Sequence, residues 1–230
     1  TLVSSDRSSM QLNYSLEEFQ FEEVIIDGAS MNAIRTPAVF LPNEAGAPDL
    51  PVTSRYVAIP RDARASVKIV ASRTELFTDI DLAPAPVIPI DTDRGPLQYQ
   101  KNPGIYSRDA FYPENPVMLS EPSQIRGVDV VMIGITPFQY NPVTRELIVY
   151  RDLKVEIVIE GGSGKVGDDR LRSRFWDPIV KGTVINPDVI PEITWQTNHT
   201  GSRTSDYEYI IITPDSSIFL QWADSIKVWR

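Results

Sequence analysis

The residues best suited to chemistry are scarce in this chain and badly placed for it. His199 is the single histidine and there is no cysteine. A histidine general base needs a fixed neighbour and a nucleophile in reach, whereas TNHTGS (Thr197 to Ser202) is polar and aperiodic, so a solvated linker histidine is the better reading of His199. The absence of cysteine removes disulfides, thiolate metal sites and a thiol nucleophile together. Asp91, Asp93 and Gly95 form a D-x-D-x-G run, yet no third acid or closing glutamate follows at calcium-loop spacing, so a surface turn is favoured over a metal site. The glycine-rich stretch GGSGKVG (Gly161 to Gly167) lacks the Ser or Thr after Lys165 and the spaced glycine that a phosphate loop requires; it reads as a flexible joint. Glu17-Glu18 and Glu22-Glu23 could suggest paired glycosidase carboxylates. Adjacent residues on a strand point to opposite faces, however, and nothing places a second carboxyl across a cleft. Two glycosylation sequons, Asn13-Tyr14-Ser15 and Asn198-His199-Thr200, match a pattern common by chance, and the first lies inside an expected strand. No cofactor is implied.

The elements that must position any site are short strands. Leu12, Tyr14 and Leu16 alternate, then Phe19 and Phe21 alternate out of phase, giving a half-buried strand broken near Glu17-Glu18. Ala38 to Leu41, Arg55 to Ile59, Val67 to Ala71, Val128 to Ile135, Glu146 to Tyr150 and Leu153 to Ile159 are rich in Val, Ile and Tyr and punctuated by turn residues. Such regular punctuation predicts a mainly β fold, an antiparallel sandwich or jelly roll, over residues 1–185. Leu82 to Pro116 carries seven prolines, too many for ladder hydrogen bonding, and should be a long ordered excursion. A short helix is expected from Asp168 or Asp169 to about Trp176, stopped by Pro178. Residues 186–206 read as a linker. From Tyr207 the grammar changes to one apolar strand, Tyr209 to Ile212, and one helix with Ile218, Phe219, Trp222, Ile226 and Trp229 on a common face. A single βα unit cannot bury both faces of a sheet, so residues 207–230 are expected to begin an α/β domain that continues beyond them.

Composition bounds the partners. Of 230 residues, 42% are hydrophobic and 23% charged, as in an ordinary globular protein, and the formal net charge of −9 argues against nucleic acid or an anionic membrane. No apolar run approaches the ~20 residues of a membrane helix. Thr1 rather than Met at the front fits a processed amino terminus or a trimmed sequence.

The block ITPFQYNPVTRELIVYRDLKVEIVIE (Ile135 to Glu160) is a hairpin by its own chemistry, with a turn at Tyr140-Asn141-Pro142. It also resembles the corresponding stretch of the amino-terminal propeptides of gingipain-type cysteine peptidases. The likeness extends through GAPDLPVTSRYVAIP, FYP and SEPSQIRG, covering most of Leu12 to Ile185. YEYIIITPDSSIFLQWADSIKVW looks like the first strand and helix of the family's caspase-like catalytic domain, whose catalytic His and Cys lie further along; His199 does not match their motif. The resemblance implies a secreted, cell-surface or periplasmic bacterial propeptide. Such a domain assists folding of its peptidase and fills the active-site cleft until proteolysis removes it.

In that family a basic residue in the region matching Leu82 to Pro116 enters the specificity pocket. Here the ungapped position falls on Asp91, with Asp93 beside it, and the nearest base is Arg94. Arg108 and Arg126 are further candidates, although Arg126 precedes a strand and its stem could pack there instead. The exposed linker offers Arg203 as the processing position, and Arg230 ends the chain on a base. A carbohydrate-binding or adhesive β-sandwich of a bacterial surface protein is the competing reading, and would need a groove lined by exposed Trp or Tyr. A free-standing hydrolase is disfavoured by the lack of cysteine and the misplaced single histidine.

Overall fold

Alternation along Val128–Ile135 puts Val131, Ile133 and Ile135 on one face and Val128 and Val130 on the other, all of them buried. That strand is the middle of a sheet covered on both sides. The computed structural model describes residues 1–5, 8–37, 44–92, 94–193 and 211–229. Its strands are β1 (Leu2–Ser5), β2 (Ser9–Ser15), β3 (Gln20–Ile26), β4 (Ala29–Arg35), β5 (Thr53–Ala58), β6 (Ala63–Phe77), β7 (Val117–Leu119), β8 (Ser123–Ile125), β9 (Val128–Ile135), β10 (Phe138–Asn141) and β11 (Glu146–Gly161). Helices α1 (Pro103–Tyr106) and α2 (Asp177–Thr183) and a 3-10 turn, Pro187–Val189, complete the first compact unit, Thr1–Ile193.

Two antiparallel sheets form a sandwich. One runs β1-β2-β11-β10 with β6 on the other edge of β11; the second centres on β9, flanked by β5 on one side and by β7 and β8 on the other. Between them Met10, Val57, Val131, Ile133, Val155 and Ile157 are almost wholly removed from water, each contributing roughly 1.5–3 kcal/mol of transfer free energy. The outer face of β9 packs Val128 and Val130 on Val166, Val180, Val184 and Ile190. The predicted antiparallel sandwich is the observed fold.

Glu146 to Ile159 is one continuous strand, where the sequence suggested two. Register against β6 shifts between Tyr150 and Asp152 and again between Lys154 and Val155. The first shift leaves Arg151 unopposed, and such a bulge bends a strand without ending it. One strand therefore serves two cores, with Leu147 and Val149 in one and Leu153 to Ile159 in the other.

The break near Glu17-Glu18 is a departure from the sandwich. Beyond it β3 and β4 form a separate two-stranded hairpin, turned at Asp27 and Gly28, whose φ values of 49° and 79° match the primed turns that suit strand twist. Phe19, Phe21, Phe77 and Phe138 hold it through edge-to-face contacts at 5.4 to 5.8 Å.

Two expectations change at the end of the unit. Residues 168–176 are turns and irregular backbone, and the helix starts at Asp177 with Pro178 inside its first turn; proline stops a helix from within but starts one readily, because its missing N–H has no intrahelical partner there. The linker does not begin at Asn186. That side chain is 1% exposed and pairs with Ala58 in both directions, Nδ2 donating to the carbonyl at 2.9 Å and Oδ1 accepting the amide at 2.8 Å. The compact unit continues to Ile193.

In the second unit the described residues form α3 (Ser217–Trp229). Its first backbone bond runs from Leu220 to the Ser216 carbonyl. Ile218, Phe219, Trp222 and Ile226 are exposed within the chain. Tyr209 and Ile210 of the expected strand Tyr209 to Ile212, and the whole expected strand Ala38 to Leu41, lie outside the described residues; Ile211 and Ile212 are described and do not form a strand. No helix among the described residues is long and apolar enough to cross a membrane.

Candidate inhibitory loop and the exit of the prodomain

The Pro-rich excursion is rigid at its base and exposed at its tip. On the ascending limb Leu82, Ala83 and Ala85 are buried. Their backbone is stitched to two neighbouring segments. Ala83 N–H donates to Asn32 and Ala85 N–H to Ala47, while Asp49 N–H reaches the Ala83 carbonyl, all within 2.7 to 3.0 Å. The Tyr140 hydroxyl, buried beneath them, donates to the Ile80 carbonyl at 2.8 Å and faces the Leu82 amide at 3.4 Å. Tyr106, from α1, donates to the Leu82 carbonyl at 3.2 Å. Burial, and then the charges of Tyr140, Asp81 and Asp49, push the Tyr106 phenol well above its ordinary range; burial likewise raises Tyr140 against the lowering effect of the Leu82 amide.

The descending limb is fixed by a close backbone approach. Asn102 N–H donates to the Gly46 carbonyl at 2.9 Å and its side chain caps α1. A Cβ on Gly46, whose φ is +83°, would stand 2.5 Å from the Gln100 carbonyl; only glycine admits both the conformation and the approach. Lys101 pairs with Asp81 at 3.2 Å and covers the Tyr106 ring. Further on, Tyr112 and Tyr140 exchange backbone hydrogen bonds and the Gln139 amide donates to Pro113 and Glu114.

Between these limbs, the described residues from Val87 to Gln98 project and are exposed. Val87 and Gln98 close the neck, with an N–H to O distance of 2.9 Å. Ile88 and Ile90 are 61% and 68% exposed, and Leu97 is exposed as well. Asp91 and Arg94 both lie on this projection, exposed and without an ion-pair partner among the described residues. Asp93 lies outside the described residues. Arg108 stands at the foot of the loop, after α1, where it lines a groove with Ile105, Phe111, Tyr112 and Met118. Arg126 belongs to a different surface: it occupies the β8–β9 turn with φ +46° and stacks its guanidinium 4.2 Å above the Trp176 ring. Among the described residues no three acids or histidines converge on a cation.

The exit of the unit is anchored by ions. Arg172, whose side chain is 1% exposed, meets Asp177 through two bonds of 2.8 and 2.5 Å and donates a third, at 2.8 Å, to the Pro191 carbonyl. Lys181 pairs with Glu192 next to it. Asp168 takes hydrogen bonds from Arg170, whose side chain and backbone hold its carboxyl down at about 2. Sequence reading passed over Arg172 and took Tyr140 for a turn residue, whereas Tyr140 is buried in β10; nothing local distinguishes a buried arginine or tyrosine from an exposed one. The processing candidates Arg203 and Arg230, and His199, lie outside the described residues.

Comparison with known proteins agrees with this architecture. The Propeptide_C25 family profile matches residues 1–186. Gingipain R2 of Porphyromonas gingivalis is 28% identical over 160 residues, 68% of this chain and 21% of that protein. Lys-gingipain of the same species is 21% identical over 186 residues, 77% of this chain and 11% of its own length. The chain thus spans about a fifth of the length of the curated relatives it matches, or less. Among solved structures, one described as a complex of Porphyromonas gingivalis RgpB pro- and mature domains superposes with a TM-score of 0.70 at 24% identity, covering 81% of this chain and 96% of that one. A structure addressing zymogenic latency of gingipain K gives 0.59 at 20% identity, covering 70% and 92%. With the profile matching residues 1–186, most of the sandwich unit, the chain belongs to the C25 propeptide family, the propeptides of gingipain-type peptidases.

Proposed function

We propose that this chain is the inhibitory and folding-assisting propeptide of a bacterial gingipain-like cysteine peptidase, exported to the cell surface, periplasm or medium. Its partner is the catalytic domain of the same precursor. The observation that carries the reading is the projecting loop 87–98, exposed and apolar at its tip yet pinned at both limbs. A loop already held in shape loses little conformational entropy when it enters a cleft, and the apolar area it brings is buried there. The relatives support the same role, since the two structures superposed are described as a pro- and mature-domain complex and as a latent zymogen.

The chain has no cysteine and so supplies no thiol nucleophile; the inhibition is steric and the cysteine-peptidase catalysis belongs to the attached peptidase. Residues 207–230 begin that peptidase domain, and the apolar face of α3 is its inner packing surface. Proteolysis after Arg203 separates the two. The exit anchors at Arg172 and Asn186 keep the sandwich folded once the linker is cut.

The 230-residue chain, added to the mature peptidase of its own precursor, should inhibit with a submicromolar constant, about −8 kcal/mol or better. Full peptidase activity at saturating chain would reject the proposal. The carbohydrate-binding alternative is weaker: Trp176, the one described tryptophan in the sandwich unit, is stacked under Arg126 and forms no aromatic platform.

A further inference from the structure

We infer that the peptidase blocked by this chain selects an acidic residue immediately before the scissile bond, and that Asp91 is the side chain offered to its specificity pocket. The inference rests on the inhibitory reading above and adds the substrate class.

Peptidase clefts take an extended segment, reading alternate side chains while the backbone adds to a strand. The tip offers one such segment. Pro89 has its φ fixed near −65° and drives Ile88 into extended backbone, so Val87 to Ile90 is stiff before any partner arrives. Ile88 and Asp91 make no backbone hydrogen bond with a described residue, which leaves their polar groups available to a neighbouring strand. Asp91 closes the extended run and, with Thr92, makes the turn. Side chains alternate along extended backbone, so Ile88 and Ile90 share one side for apolar subsites while Asp91 is the last group before the chain reverses.

Arg94 is placed differently. It comes after the Asp91-Thr92 turn and just ahead of Gly95-Pro96. Charge points the same way. The segment 87–98 holds Asp91, Asp93 and Arg94, a net charge of −1. An acidic pocket built for Arg or Lys would face a segment of net negative charge, and like charges meeting at an interface disfavour association. A basic pocket gains a charge-assisted, bidentate partner in Asp91. Because the bond after Asp91 enters a turn, it lacks the extended geometry of a bond being cut, so the segment binds as an inhibitor. An acid-selecting peptidase does not cut after Arg203; its own excision would follow Asp206, and cleavage at Arg203 would fall to a second, base-selecting peptidase.

The test has two arms on the mature peptidase of the same precursor. In the first, fluorogenic peptides Val-Ile-Pro-Ile-Xaa carry Asp, Asn, Arg or Lys at Xaa. At least tenfold higher kcat/KM is expected for Asp than for the other three. In the second, the whole chain is compared with its Asp91→Asn and Arg94→Ala variants as inhibitors. Asp91→Asn keeps the shape and removes the charge, and should raise the inhibition constant at least tenfold, about 1.4 kcal/mol; Arg94→Ala should change it less than twofold. Preference for Arg or Lys, cleavage of none of the peptides, or an inhibition constant that follows Arg94 and ignores Asp91 overturns the inference and leaves the inhibitory function standing. Failure of the unaltered chain to inhibit overturns that function itself, and this inference with it.

Discussion

Replacing Tyr140 by Phe takes one oxygen from the base of the loop and nothing from the packing of the ring. The hydroxyl is the sole described partner of the Ile80 carbonyl, at 2.8 Å, and Ile80 and Tyr140 are both buried. Leaving such an acceptor unsatisfied costs about 1–3 kcal/mol. The contact to the Leu82 amide, at 3.4 Å, is too long to add much. The expected loss is therefore about 2 kcal/mol at pH 7, read as a fall of about 1 M in the urea midpoint by far-ultraviolet circular dichroism, for a slope of about 2 kcal/mol/M. Tyr106→Phe, which removes a half-buried bond of 3.2 Å to the Leu82 carbonyl, should cost about 1 kcal/mol. Both hydroxyls converge on Leu82, so the double variant should depart from additivity by about 0.5 kcal/mol or more.

Alkali supplies an independent check. The ordinary tyrosine value is 10.0 and both folded phenols lie above it. Their contribution is complete below about pH 10 and is lost as pH rises through the folded values, since the unfolded chain releases those protons first. Tyr140→Phe removes one of these liabilities, so the stability gap between it and the parent should narrow between pH 7 and pH 11. An unchanged urea midpoint at pH 7, or a gap that widens in alkali, would refute the assignment of Tyr140 as the post beneath the loop.

Two further outcomes follow from the anchors. Gly46→Ala places a Cβ against the Gln100 carbonyl at a positive φ, so the descending limb should detach; limited proteolysis within residues 87–98 should accelerate at least fivefold, and an unchanged cleavage rate would contradict the close approach. Arg172→Met strands Asp177 without its buried partner and should cost about 3–5 kcal/mol, while adding Asp177→Leu should recover most of that, because an apolar pair replaces a buried ion pair at little cost. A double variant as unstable as the single one would refute the ion-pair account.

Strands whose burial is set by their own alternation were legible in the sequence: Val128 to Ile135 was delimited correctly, and the Ile135 to Glu160 block gave a hairpin, although Pro142 opens its turn and Arg151 bulges within its second strand. The Asp27-Gly28 turn carried a local signal that was missed. Pro178 was read with the wrong polarity, since proline is compatible with a helix start as well as a stop. Local periodicity and turn chemistry thus determined the class of fold, the rigidity of the Ile88-Pro89 run and the existence of a long excursion. Only tertiary structure decided which part of that excursion is presented. Tyr140 meets Ile80 across 60 residues, and Asn186 meets Ala58 across 128. Hydrogen bonds between groups so far apart in the chain leave no trace in either neighbourhood, yet they separate the buried Leu82 from the exposed Asp91 and set the end of the sandwich unit beyond Asn186.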